Sequence, residues 1–429
     1  MAAVFILLML LTLLLTGTPI SIALGSTVML FVLVFSTLDV NTVNILSQRL
    51  FTGLESFVIM AVPFFILSGT FLIEGGTADK LIRFAKTIVG SVPGGLAISS
   101  VLACALFATV SGSSPATVVA IGSIMLPALV REGYPKGFST GLIASSGSLG
   151  ILIPPSIVLI IYAVSTSQSA GKMFLAGMIP GLMLGGVLIG MAYLTAKIKK
   201  FPRSEPFNKS VAWKSFLDAG WGLLLVIIVL GGIYSGLFTP TEAAAISAVY
   251  AFSVSVMIQK TVSMRQVPKV ILSAAKTSSM ILYIITNAIL FSFLLTSEQI
   301  PQQLANWVVE NSLSPVVFLL ALNFLLLLAG QFMEPSSIIL ILAPLALPIA
   351  LELGIDPIHL GIIMTINMEI GMVTPPVGLN LFVASHISKM GITKVALAAA
   401  PWAGVMVLFL LLITFVPELS LWLPNLIYK

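Results

Sequence analysis

Long apolar runs joined by short polar turns fill this chain. They place candidate membrane-spanning helices near residues 2–16, 19–36, 54–73, 137–166, 171–196, 217–237, 240–259, 277–296, 357–386 and 394–416. Several reach the roughly 20 apolar residues that carry an α-helix across the hydrocarbon core of a bilayer. Strands of an outer-membrane barrel would instead alternate apolar and polar positions over segments of about ten residues. The pattern therefore predicts an all-α integral membrane protein with these ten spans.

Two further apolar stretches, 95–128 and 315–350, are interrupted halfway by polar and helix-breaking residues: VSGSSPAT around Ser111 to Thr117, and GQFMEPSS around Gly330 to Ser337. Such a stretch is either two ordinary spans with a polar loop or a re-entrant hairpin. The hairpin is permitted only where protein or water satisfies the freed backbone. Basic residues decide between the two. Lys80, Arg83 and Lys86 precede the first stretch and Arg131 and Lys136 follow it, so both of its ends are expected in the cytoplasm. The flanks of the second stretch, QQLANWVVENS and LELGID, carry no Lys or Arg, whereas Lys260, Arg265, Lys269, Lys276, Lys389 and Lys394 lie farther out, so its ends are expected in the periplasm. Six basic residues between Lys197 and Lys214 fix a cytoplasmic loop in the middle, and counting back puts the amino terminus outside.

The two halves also match residue for residue. An offset of 221 positions (348 − 127) superposes Leu126 and Pro127 on Leu347 and Pro348, Gly133 on Gly354, Gly150 on Gly371, Pro154 and Pro155 on Pro375 and Pro376, and Pro180 on Pro401. Chance matches of Leu are common in so apolar a chain; coincident Gly and Pro at fixed spacing are not. Repeats of opposite orientation characterise secondary transporters, whose sites form where interrupted segments face each other near the midplane.

Composition agrees. Of 429 residues, 58% are hydrophobic and 8% charged, with a mean hydropathy of +1.14. Soluble domains are near a quarter charged. The first apolar segment lacks a basic leader region and is expected to be retained rather than cleaved. The formal charge of +5 resides in loops and sets orientation, so no nucleic-acid partner is implied. Cys104 is the only cysteine, which rules out an internal disulfide and points to packing. His359 and His386 lie at span ends with no metal-ligand spacing, and Glu242 in GLFTPTEAAA reads as a helix-start carboxylate with Thr239 or Thr241 as cap. No Walker motif or catalytic constellation is present, so neither ATP hydrolysis nor another enzymatic activity is expected, and no cofactor.

Each hairpin is followed by a long span with a Gly- and Pro-containing break: SSGSLGILIPPS from Ser145 to Ser156, and NMEIGMVTPPVGLN from Asn367 to Asn380. Proline removes a backbone donor and glycine loosens the chain, so these helices should unwind and free carbonyl oxygens. Such oxygens, with neutral side chains, suit a hard cation such as sodium. One sodium site is expected from Ser111, Gly112, Ser113, Ser145, Ser146, Gly147 and Gly150, and a second from Gly330, Met333, Glu334, Asn367, Gly371 and Thr374. A lone membrane serine is as well explained by packing or a back-bond to its own helix; the clustering is what points to an ion. The hairpin tips present helix starts whose free N–H groups suit a carboxylate. Ser113, Ser114, Pro115, Ser148 and Pro154 in one half, and Ser336, Ser337 and Pro375 in the other, are the expected substrate residues. Glu334 and Glu369 stand out as carboxylates at bilayer depth, where they serve a cation, a proton or the structure.

The segments SGSSPATVVAIGSIMLPAL, GILIPPS, GLFTPTEAAA and GMVTPPVGLNLF resemble the large membrane subunit of the tripartite ATP-independent periplasmic transporters over essentially the whole chain. The resemblance implies a bacterial inner-membrane importer of the elevator type, coupled to sodium. It implies two partners: a small four-helix membrane subunit on a separate chain and a soluble periplasmic binding protein, with docking loops expected near Ser165 to Lys172 and Ser235 to Glu242. It divides the chain into scaffold helices (1–76), a first repeat (77–200), a cytoplasmic loop with a central scaffold pair (201–276), a second repeat (277–416) and a tail (417–429). The chain resembles the sialic acid branch, which makes sialic acid the expected substrate. C4-dicarboxylates are the alternative, and a self-sufficient sodium- or proton-coupled carboxylate transporter is the rival reading. The residues themselves require only a small carboxylate.

Overall fold

A computed structural model describes residues 2–35, 40–89, 92–203 and 208–428. Those residues form helices joined by short turns, without a named strand among them. The chain opens with α1 (Ala2–Leu15), α2 (Ile20–Phe35), α3 (Val40–Thr52), α4 (Ala61–Glu74) and α5 (Thr77–Val89). The first half follows as α6 (Gly95–Ser111), α7 (Ser114–Arg131), α8 (Lys136–Gly147), a 3₁₀ turn at Ser148–Ile151, α9 (Ile157–Ser165) and α10 (Ala170–Ile198). A central pair, α11 (Lys209–Tyr234) and α12 (Pro240–Phe252), leads to α13 (Val267–Ser297) and α14 (Ile300–Glu310). The second half is α15 (Pro315–Gly330), α16 (Pro335–Glu352), α17 (Pro357–Gly371), α18 (Leu379–Ser388) and α19 (Ile392–Phe415), closed by α20 (Glu418–Ile427).

The repeat read from Gly and Pro is a repeat of structure. Helix α7 maps onto α16 end to end at the same offset (335 − 114 and 352 − 131, each 221), and α8 starts that same distance before α17. In each half the helix after the hairpin lies against both hairpin arms, and the halves interlock. Helix α7 packs on α18 and α16 on α9, while α8 packs on α19 and α17 on α10. Both breaks carry a cis Pro–Pro bond, Pro154–Pro155 and Pro375–Pro376.

Among the described residues, seven helices are long and apolar enough to cross a membrane, or eight with the bent pair α4–α5 counted as one span. The expectation of ten spans thus does not hold as a count. The broken spans fall into short pieces, and hairpin arms α7 and α16, at 18 residues each, are themselves among the helices long enough to cross. The predicted span at 54–73 begins only at Ala61, whereas those at 217 and 277 begin earlier, at Lys209 and Val267. Residue 36, at the end of the second predicted span, and residues 204–207 of the basic loop lie outside the described residues.

Four helices escaped the hydropathy reading: α3, α5, α14 and α20. They are amphipathic rather than uniformly apolar. In α5, Ala78, Leu81, Ile82 and Ala85 are buried on one face, and Lys80, Arg83 and Lys86 interleave with them in sequence. That spacing marks a helix with one packed face and one polar face. It bends from α4 by 71°. Helix α20 packs on α10 and α17, and its Ser420 Oγ lies 2.7 Å from Nδ1 of the buried His359.

Candidate functional site

The first hairpin tip is a two-residue reversal. Gly112 adopts the left-handed conformation (φ 58°) that closes α6, and Ser113, extended, opens α7. Ser111 Oγ and Thr117 Oγ1 share a hydrogen bond at 2.8 Å, and Thr117 Oγ1 donates to the Ser113 carbonyl at 2.9 Å. The break of the same half lies directly against this tip. A Cβ on Gly150 would sit 2.7 Å from the Ser113 carbonyl oxygen and 2.9 Å from Thr117 Oγ1, and a Cβ on Gly112 would sit 3.1 Å from the Pro155 carbonyl oxygen. Gly147 is similarly pressed on Val118 of α7. Small residues are what allow backbones inside a membrane to approach this closely.

The second tip meets its own break glycine to glycine: a Cβ on Gly371 would lie 2.7 Å from the backbone of Gly330. Backbone N–H groups of Val377 and Gly378 donate to the Gln331 carbonyl at 3.1 and 3.2 Å. The unwound segment is thereby laced to the hairpin by the groups that unwinding freed.

The structure thus brings Ser111, Gly112 and Ser113 together with the Gly147–Gly150 turn, and Gly330 with Gly371. Other predicted residues are engaged differently. Glu334 is the cap of α16: its carboxylate accepts from Ser336 Oγ at 2.8 Å and from the Ser337 N–H at 3.3 Å. The start of α16, read from sequence as a seat for a substrate carboxylate, is therefore filled by the protein's own carboxylate. The start of α7 has no side-chain cap and is the open one. Thr374 Oγ1 donates to the Ile370 carbonyl of its own helix, and Ser148 Oγ to the Ser145 carbonyl. Met333 lies on the wall of an apolar groove shared with α1. Pro154 is buried whereas Pro375 is exposed, so the two breaks are unequal in access.

Several buried oxygens lack a hydrogen-bond partner: Ser145 Oγ, Ser146 Oγ, Asn367 Oδ1 and both carboxylate oxygens of Glu369. Asn367 Nδ2 donates instead to Asn323 Oδ1 at 2.8 Å, and Asn323 donates onward to Thr414 Oγ1 at 3.0 Å. Leaving buried polar atoms unpaired costs about 1–3 kcal/mol each. Unpaired oxygens collected at the two breaks suit a cation that would complete them. Besides the pairing of Glu334, sequence reasoning missed the part of Thr117 and of Asn380. Asn380 Nδ2 reaches Ser114 Oγ at 2.7 Å and the Ala144 carbonyl at 3.1 Å. No local signal marks Asn380; only the interlocked packing of α7 on α18 brings it there.

The family model described as "Tripartite ATP-independent periplasmic transporter, DctM component" matches residues 7–419. The chain is 54% identical to the C4-dicarboxylate TRAP transporter large permease protein DctM of Rhodobacter capsulatus, over 100% of both chains. It is 32% identical to the sialic acid TRAP transporter large permease protein SiaM of Vibrio cholerae, over 96% of each. Among solved structures, the Alcanivorax borkumensis YdaH transporter resembles it with a TM-score of 0.68 at 17% identity, covering 91% of each chain, a likeness of fold alone.

Proposed function

We propose that this chain, which belongs to the DctM component family of the tripartite ATP-independent periplasmic transporters, imports C4-dicarboxylates with the help of a sodium gradient. As a member of that family it is a transporter permease, a multi-pass protein of the inner membrane. The observation that carries the transport reading is the pairing of each hairpin tip with the break of its own half, with unsatisfied oxygens at both breaks. A substrate and ions held between such elements move when the elements move.

The substrate reading rests on relatives. Full-length identity of 54% to a C4-dicarboxylate permease, against 32% to a sialic acid permease, sets C4-dicarboxylates ahead of the sialic acid expected from sequence. The open start of α7, with Ser113 and Ser114, supplies N–H groups suited to one carboxylate. Sodium would draw on the Ser113 carbonyl region with Ser145 and Ser146 in the first half, and on the Gly330–Gly371 contact with Asn367 in the second. In this reading the hairpins and broken helices, which pack on one another across the two halves, form one block. That block would slide against α1 to α5 and α11 to α14 in an elevator motion. A separate small membrane subunit would extend this scaffold, and a periplasmic binding protein would deliver the substrate.

Uptake of radiolabelled succinate into proteoliposomes holding the chain and its small subunit tests this reading. The expected result is uptake that requires both an inward sodium gradient and the binding protein, with sialic acid transported poorly. Sialic acid uptake without succinate uptake would overturn the substrate. Uptake by the chain alone would overturn the partner assignment.

A further inference from the structure

A cavity of about 470 Å³ lies between the scaffold and the hairpin block, walled by α3 and α13 on one side and by α9 and α16 on the other. Among the described residues Arg49 is the only charged one lining it, and Ser165, Ser292, Thr296 and Ser297 supply hydroxyl-bearing side chains. The guanidinium carbon of Arg49 sits 4.7 Å from the ring centroid of Phe293, itself part of the wall. Stacking on an aromatic face holds a guanidinium in place while leaving its N–H edge free for an anion. Helix α13 starts beside Lys269 and Lys276 and ends at Ser297, so by the distribution of basic residues the cavity lies in the periplasmic half of the membrane.

We infer that this cavity is a second anion-binding station on the outer side of the transport path, where Arg49 holds a carboxylate before the substrate reaches the hairpin tips. The inference rests on the dicarboxylate reading for the identity of the anion, but not for the existence of the site. A planar guanidinium pairs with a carboxylate through two parallel hydrogen bonds. A dianion is drawn to such a cation more strongly than a monoanion. Placing the cation on the scaffold, on α3 rather than on the hairpins, lets the block depart with its substrate and leaves Arg49 behind. The guanidinium then does not have to cross the bilayer with the block, which would be costly.

The test separates the site from its ligand. A Thr296→Cys reporter is made in a Cys104→Ser background, within the complex in proteoliposomes, and labelled from outside with anionic and with cationic methanethiosulfonate reagents. With Arg49 present, the anionic reagent is expected to react faster relative to the cationic one. Arg49→Gln is expected to lower that ratio roughly tenfold, the scale of one charge-assisted contact; Arg49→Lys, which keeps the charge, largely restores it. Succinate is expected to slow labelling when Arg49 is present and not in Arg49→Gln. In uptake, Arg49→Gln raises KM for succinate with kcat near wild type. An unchanged reagent ratio in Arg49→Gln overturns the station. So does a ratio that responds to anionic lipid content but to no soluble organic anion, since a lipid phosphate would then be the occupant. Protection by another organic anion but not succinate upholds the station and overturns the dicarboxylate reading instead.

Discussion

Asn380, the last residue of the break of the second half, donates a 2.7 Å hydrogen bond to Ser114, the first residue of the helix at the tip of the first half, 266 positions earlier. Its second amide hydrogen bond, to the Ala144 carbonyl at 3.1 Å, reaches the helix that precedes the first break. One side chain therefore ties the second half to both the tip and the break of the first.

Asn380→Ala removes these bonds together with the one that Ser114 Oγ donates to Asn380 Oδ1 at 3.1 Å, and leaves Ser114 without its Asn380 partner. Each interhelical bond of this kind contributes about 0.6–2 kcal/mol in a membrane protein. The thermal midpoint of the purified protein is expected to fall, and succinate uptake with it. Uptake at the wild-type rate, with the midpoint lowered, would show that the bond serves stability alone.

Gly371→Ala places a methyl group 2.7 Å from the Gly330 backbone, where no side chain can yield. The second tip must move off its break, and uptake is expected to drop at least about tenfold, as when positioning in a site is lost by about an ångström. Gly404→Ala in α19 meets nothing within 4 Å and is the control. Expression and membrane insertion of both variants, followed by uptake, distinguish a local effect from failure to fold.

Glu369 is 0% exposed, and neither of its oxygens has a partner. Glu369→Gln replaces the carboxylate with an amide of nearly equal size that costs less to bury. The variant is expected to accumulate in the membrane at least as well as wild type, while the sodium concentration for half-maximal uptake rises several-fold if the carboxylate is a cation ligand. An unchanged sodium dependence removes Glu369 from the coupling machinery.

Glu242 and Thr239 form a reciprocal cap at the start of α12, with the Thr239 N–H donating to the Glu242 carboxylate at 2.8 Å. Glu242→Ala is expected to lower the thermal midpoint slightly and to leave the uptake rate within about twofold, since cap losses are local. A collapse of uptake at unchanged stability would point instead to the binding-protein surface.

The cap shows how far local reading reaches. TPTE announces a helix start because the four residues that build it are adjacent, and Thr239, of the two candidate caps, is the one used. The tips at Gly112 and Gly330 were legible for the same reason: a helix cannot pass through SGSSP or GQFMEP unaltered. The amphipathic helices were not, because a hydropathy scan averages the apolar face of α5 with its Lys80, Arg83 and Lys86. The role of Glu334 stayed open in the sequence, which shows a carboxylate at the tip but not that the Ser336 hydroxyl and the Ser337 N–H donate to it.

By itself the sequence determined the class, the hairpins, the breaks and the repeat. Those follow from composition, from proline and glycine chemistry and from residue spacing, all properties of neighbours along the chain. Tertiary structure alone decided that Asn380 meets Ser114, that Gly371 abuts Gly330, and that Arg49 faces a cavity beside α9 and α16. Each of these depends on helices distant in sequence packing at one point. Apolar residues that suit any lipid-facing or buried surface do not encode which helix that partner will be.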